Sequence, residues 1–201
     1  MKIIIKATDE IFSIWTSKFK IGDHIFIQYN PLTTAIQDGD IFIDNNFEEE
    51  GPTFLSVTTT LVLVNAVITT SKKMPENFVR YNGWGGFFTQ PKLEIAGNEE
   101  TVKKAIELLT SVGIETVLAA DEIGMISPRV VSMIINEAFF AINEEVSTKE
   151  EINTAMKLGT NYPSGPFEWC DKIGLNNVKI LLAELAKNDL RYTIAPALKI
   201  N

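Results

Sequence analysis

The sequence predicts an α/β domain with a parallel sheet, followed by an all-α helical bundle. From Lys2 to Ala119, short β-branched runs alternate with helix-spaced ones, the pattern of strands joined by crossover helices. From Ser127 onward the apolar spacing is helical only. The change falls at Asp121–Ser127, so two domains are expected, over residues 1–123 and 124–201.

Lys2–Ile5 is β-branched and continuous, as for a parallel strand buried on both faces. Ile11, Ile14, Trp15 and Phe19 recur at helical spacing and predict a helix over Glu10–Phe19. His24–Tyr29, Asp40–Asp44 and Thr53–Thr58 read as strands, and Glu48-Glu49-Glu50 as a solvated acidic loop. Val62–Thr69 fits a strand or a helix by pattern alone, and Ser71–Pro75 reads as a loop. Asn98 is placed to cap a helix through Ser111. Glu99 and Glu100 suit the first turn of that helix, and Gly113 its stop. Strand Glu115–Ala119 follows.

Ser127-Pro128 reads as an N-cap and a first-turn proline, opening a helix to about Glu145. Its apolar residues (Val131, Met133, Ile135, Phe139, Phe140 and Ile142 among them) point in nearly every direction, so it must be buried on nearly all sides. Ser147-Thr148-Lys149-Glu150 reads as a capping box for a helix ending at Gly159. Helices over Gly165–Ile173 and Leu175–Asn188 complete the bundle.

Composition narrows the function classes. The chain has 201 residues, 45% of them hydrophobic, enough for a real core. A net charge of −8 disfavours nucleic acid, which is bound by neutralising phosphates with Lys and Arg. No run reaches about 18 uncharged apolar residues, so no membrane span is expected. Met1–Lys6 lacks the apolar core of a signal peptide. The single cysteine, Cys170, excludes an internal disulfide framework and fits a cytoplasmic location; beside Trp169 it reads as a packing thiol.

The run Asn153–Leu175 carries the strongest signal. It contains Ala155-Met156-Lys157-Leu158-Gly159, then Tyr162-Pro163 and Gly165-Pro166, then Asp171-Lys172-Ile173-Gly174-Leu175. Asn136-Glu137-Ala138, Ser147–Ile152, Arg191-Tyr192 and Pro196-Ala197-Leu198-Lys199 extend it. Together they resemble the C-terminal helical domain of the 3-hydroxyacyl-CoA dehydrogenases. Upstream, Phe54–Leu61 looks like that family's strand ending in a Ser-Asn-Thr-Ser-Ser-Leu run. Phe78–Ala96 looks like its His-Phe-Phe-Asn-Pro segment and following strand, and Asp121–Met125 like its Asp-x-Pro-Gly-Phe turn.

The resemblance implies a truncated, degenerate Rossmann-like domain before the helical one. The family is dimeric and NAD-dependent, and oxidises the 3-hydroxyl of an acyl-CoA. Its base histidine is oriented by a glutamate twelve residues on, with a serine and an asparagine on the reacting oxygen. Carried over, the glutamate is Glu94, the histidine position holds Asn82, the serine position Thr59 and the asparagine position Pro128. Asn82 has no nitrogen that titrates near neutral pH and cannot serve as base. The glycine-rich phosphate turn is replaced by Lys6-Ala7-Thr8-Asp9-Glu10-Ile11, and the acid at the end of the second strand by Tyr29 or Asn30. No bound cofactor is therefore expected, although the family uses NAD.

Two functions follow. One is an active NAD-dependent oxidoreductase on 3-hydroxyacyl-CoA. The other, which the eroded chemical half favours, is a pseudoenzyme of acyl-CoA metabolism. It would be retained as a homodimer through residues 127–201 or as a binder of a partner or an acyl-CoA-like ligand. Plainer readings accompany the candidate residues: Glu94 as a structural acid, Thr59 as a β-former, His24 as a strand-edge residue. Asn82-Gly83-Trp84-Gly85-Gly86-Phe87-Phe88 is either a flexible ligand loop or a tight turn.

Overall fold

A computed structural model describes residues 1–200 except 33, 34 and 37. The chain divides into two compact units. One comprises Met1–Gly83 with Phe87–Met125; the other comprises Trp84–Gly86 with Ile126–Asn201.

The first unit is a seven-stranded sheet with two long helices. Its elements are β1 (Lys2–Lys6), α1 (Asp9–Lys18), β2 (Ile25–Gln28), β3 (Ile41–Asp44) and the single turn α2 (Phe47–Glu50). There follow β4 (Val62–Asn65), a 3-10 turn at Ser71–Lys73, β5 (Phe78–Tyr81), β6 (Lys92–Gly97), α3 (Glu99–Ser111) and β7 (Glu115–Leu118). The strand order is β2-β1-β3-β4-β5-β6-β7. This is a Rossmann-like arrangement, with the order reversing beside β1.

The ladders are parallel except between β5 and β6. The expected Rossmann-like parallel sheet is thus observed, with one antiparallel pair. Only residues 82–91 join those two strands, with no helix among them, and a parallel return needs a crossover of about a dozen residues or more.

The strands are apolar on both faces because both faces are covered. Ile3, Ile5, Ile43, Leu63 and Ile95 pack under Trp15 of α1 and Val102, Ala105 and Leu109 of α3. Ile4, Phe42, Val62 and Val64 pack on the other face against Phe47 and Phe54. The expected strand at Thr53–Thr58 is absent. Its backbone groups are taken by side chains instead. Asp44 accepts the Thr53 amide, and Asn77 donates to the carbonyls of Val57 and Thr60. Local signals fare better: Thr8 and Asn98 cap α1 and α3 as side-chain acceptors, and Gly113 adopts φ +82° past the end of α3.

The second unit is helical: α4 (Ser127–Asn143), α5 (Lys149–Thr160), α6 (Pro166–Ile173), α7 (Leu175–Ala186), a 3-10 turn at Leu190–Tyr192 and α8 (Pro196–Ile200). Helix α4 packs against α5, α6, α7 and α8. Buried Asn136 donates to the Thr193 carbonyl and accepts from the Ala195 amide, fixing the turn into α8. The capping box of α5 is Thr148 with Glu151, one residue later than expected, and Ser147 also donates to Glu151. Ser127 is the first residue of α4 rather than its cap.

Within the unit α4 is not buried all round. Val131, Ile135 and Phe139 are buried, Phe139 edge-to-face on Phe167, but Phe140, Ala141 and Ile142 are half-covered and Val130 is half exposed. Helix α5 buries no residue, and its Leu158 is 82% exposed.

Candidate functional site

The carboxyl ends of parallel strands are where open α/β sheets bind ligands, above all at the point where the strand order reverses. Here that point lies between β1 and β3, whose last residues, Lys6 and Asp44, are register partners. Both are buried. Lys6 Nζ donates to Thr53 Oγ1 at 2.7 Å and pairs with Glu50 at 2.9 Å. Asp44 accepts the amides of Asn46 and Thr53. Burial pushes the Asp44 carboxyl up from its ordinary value, against the pull of those amides and of Lys6.

The turn from β1 into α1 is equally self-contained. Thr8 caps the helix by accepting the Ile11 amide. Gln28, at the end of β2, donates to the Ala7 carbonyl at 3.0 Å and to Asp9 at 2.9 Å. Asp9 and Glu10 occupy the first turn. A pyrophosphate needs close backbone approach and free helix-terminal amides. These residues offer side chains and carboxylates instead, and do not fit a dinucleotide.

Along the same edge, Asn65 donates to the Asn45 carbonyl and accepts the Gly83 amide, and the Tyr81 hydroxyl donates to Asn45 Oδ1 at 2.8 Å. Burial raises the Tyr81 phenol well above its usual range. Asn82 and Glu94 meet across β5 and β6. The Asn82 amide donates to the Glu94 carbonyl at 2.9 Å, and their side chains approach to 3.4 Å in a buried setting. Two of the three sequence-predicted site residues are thus brought together, as a neutral amide beside a carboxylate.

Thr59 is not with them. Val62 and Phe78 are partners at the start of β4 and β5, and Asn65 and Tyr81 at their ends. Thr59 therefore sits at the amino edge of the sheet and Asn82 at the carboxyl edge. Thr59 is exposed and lines an open groove of about 560 Å³ with Asn77, Asn98, Thr101 and Lys104. At the level of Asn82 the chain leaves the end of β4 and runs on through Ala66–Thr70.

Sequence reasoning missed the chemistry of Glu48. Far from being a solvated loop residue, it accepts three consecutive amides: Val67 at 2.9 Å, Ile68 at 2.8 Å and Thr69 at 2.6 Å. It also missed Arg80, fully buried on β5. Arg80 donates to the carbonyls of Thr69 and Glu122 and lies 3.2 Å from Asp121, which in turn accepts from the Ser71 amide and hydroxyl. Among the described residues, no three His, Cys, Asp or Glu side chains converge on a metal-sized site.

The glycines of the 83–86 stretch serve close packing. A Cβ on Gly83 would lie 2.6 Å from Asn65, one on Gly85 2.0 Å from the Lys172 carbonyl oxygen, and one on Gly86 (φ +83°) 2.4 Å from Trp169. Cys170 is buried in the helical unit, where desolvation pushes its thiol up to about 11.

Residues 124–199 match the family model described as "3-hydroxyacyl-CoA dehydrogenase, C-terminal domain". The 3-hydroxybutyryl-CoA dehydrogenase of Clostridioides difficile is 28% identical over 98% of this chain and 64% of its own length. The resemblance to the 3-hydroxyacyl-CoA dehydrogenases is thus carried by residues 124–199. The 3-hydroxyadipyl-CoA dehydrogenase of Escherichia coli (strain K12) is 40% identical over 43% of this chain, but over only 18% of itself. The chain thus spans less than two thirds of the length of either relative. Its fold is that of a solved (S)-3-hydroxybutyryl-CoA dehydrogenase from Ralstonia eutropha, with a TM-score of 0.74 at 16% identity, covering 99% of this chain and 92% of that one.

Proposed function

We propose that this chain is a non-dehydrogenating member of the 3-hydroxyacyl-CoA dehydrogenase family, acting in acyl-CoA metabolism as a cytoplasmic homodimer. Its helical unit, residues 127–201, makes the dimer, and an acyl-CoA-like molecule is its candidate ligand. Asn82 and Glu94 are the remains of a base and its orienter. The observation that carries this reading is the closed carboxyl edge at β1 and β3: Lys6, Asp44, Glu50 and Thr53 fill it with mutually satisfied groups. General-base catalysis alone contributes about 10²–10⁴ in rate, and Asn82 cannot supply it.

The described helices give no candidate membrane span, since none is long and apolar enough to cross a bilayer. The deciding experiment has two arms. Calorimetric titration with NAD is expected to give no Kd tighter than roughly 100 μM. Incubation with NAD and 3-hydroxybutyryl-CoA is expected to yield no NADH, and Asn82→His alone is not expected to restore it. NADH production by the unmodified protein would establish the rival reading, an active NAD-dependent oxidoreductase.

A further inference from the structure

The segment after β4 presents three successive amide N–H groups, those of Val67, Ile68 and Thr69, to one side. Such a concave run of amides is an anion-binding nest. It holds an anion already, the Glu48 carboxylate, which stands in for a carboxylate-bearing ligand. One oxygen takes Val67 at 2.9 Å; the other takes Ile68 at 2.8 Å and Thr69 at 2.6 Å.

The nest is held in shape from behind by groups other than Glu48. The Gly124 amide donates to the Val67 carbonyl at 2.8 Å. Arg80 Nη1 donates to the Thr69 carbonyl at 2.8 Å. Asp121 accepts the Ser71 amide at 3.2 Å and the Ser71 hydroxyl at 2.6 Å. The fully buried Arg80 guanidinium also feels the Glu48 charge, adding a positive field to the site. Glu48 itself is half-buried.

We propose that Val67–Thr69 form a preorganised carboxylate-binding site which the chain closes in cis with Glu48, and that a small free carboxylate enters when that side chain is removed. A nest held open by independent hydrogen bonds keeps its donors convergent after the loss of its occupant. A planar two-oxygen group of matching bite then replaces it. Whether the protein binds NAD has no bearing on this site.

The test is the thermal unfolding of Glu48→Ala in sodium acetate, sodium phosphate and sodium chloride at matched ionic strength. The variant is expected to melt below the wild type and to regain the loss saturably in acetate. The wild type should be unmoved, and chloride without effect. The same titration followed by amide NMR should shift Val67, Ile68 and Thr69. Recovery matched by chloride, recovery in phosphate but not acetate, or no recovery would overturn the proposal. Should Glu48→Ala not fold, Glu48→Gln keeps one acceptor oxygen and removes the charge. Hydrogen exchange of the three amides is then expected to quicken by about tenfold, as charge-assisted bonds become neutral ones; unchanged exchange overturns the proposal equally.

Discussion

Replacing Arg80 by methionine keeps an unbranched stem in β5 and deletes the guanidinium. The Arg80 side chain is 0% exposed and Asp121 19% exposed, so the pair is mostly withdrawn from water. Three partners are affected at once: the Thr69 and Glu122 carbonyls lose a donor, and Asp121 loses its ion pair while keeping the Ser71 amide and hydroxyl. A single orphaned buried acceptor costs about 1–3 kcal/mol. The three share one donor, so their costs do not add. Removing one member of a buried pair costs about 3–5 kcal/mol, and that range is the expectation. Urea sensitivities of about 1–3 kcal/mol per molar put the fall in midpoint at about 1–5 M. Backbone circular dichroism in urea measures it. Hydrogen exchange at β4 and β5 should assign the loss to the sheet unit. Adding Asp121→Asn removes the stranded charge, so the double variant should recover about 1–3 kcal/mol relative to additivity. A loss under about 1 kcal/mol, or strict additivity, would refute the view that Arg80 clamps the carboxyl-edge loops.

Three further outcomes are expected. Burial raises the folded-state pKa of Asp44 above its ordinary 3.8. The folded protein therefore holds that proton more tightly than the unfolded chain. The stabilising contribution is present below the unfolded value and is lost as pH rises through the folded one. Asp44→Asn should flatten that fall relative to wild type in paired urea titrations from acid to neutral pH, and an identical pH profile would contradict it. Phe140, half-covered on α4 while Phe139 is internal, is the better site to challenge the proposed dimer. Wild type should scatter light as two 22.4 kDa chains and Phe140→Asp as one, whereas a monomeric wild type would sink the idea. Gly85→Ala places a Cβ 2.0 Å from the Lys172 carbonyl oxygen, and overpacking of about 1–3 kcal/mol should appear as a lower melting temperature; an unchanged one would show that the turn yields freely.

Local chemistry was legible in the sequence, and long-range chemistry was not. Asn98 caps a helix that starts at the next residue, so its side chain reports the structure directly, and the capping box of α5 was read one residue early. The β-branched strands β1 and β3 read correctly because both sheet faces are covered there, while β4 was left open between strand and helix. Val57-Thr58-Thr59-Thr60 has the same β-forming composition, yet its neighbours in space, Asp44 and Asn77, consume the backbone groups of this stretch. Thr59 lies before β4, at the opposite edge of the sheet from Asn82. A four-residue strand spans about 13 Å at 3.3 Å per residue, so a slip of one element separates a site residue from its site. Glu48 offers no sequence cue either, because its partners lie about twenty residues away and are backbone amides, which have no residue signature.

The carboxyl edge also explains why single reversions should not restore cofactor binding on the reading proposed here. The donors that would welcome an anion there each have an acceptor within the chain. Lys6 has Glu50 and Thr53, and the Ile11 amide of α1 has Thr8. An incoming diphosphate must displace carboxylates that are tethered, and a tethered group competes at high effective concentration. Replacing Thr8 by glycine frees one amide but leaves Asp9 and Glu10 facing the phosphate, a like-charge contact of about 1 kcal/mol or more per pair even in water. Asn82→His supplies a base with no hydride acceptor beside it. Within the helical unit, Asn136, Phe139 and Phe167 make their contacts among residues 127–201. Selection acting on the helical unit alone would preserve its motifs while the dinucleotide turn drifted, and Ala155–Gly159 beside Lys6–Ile11 is that contrast within one chain.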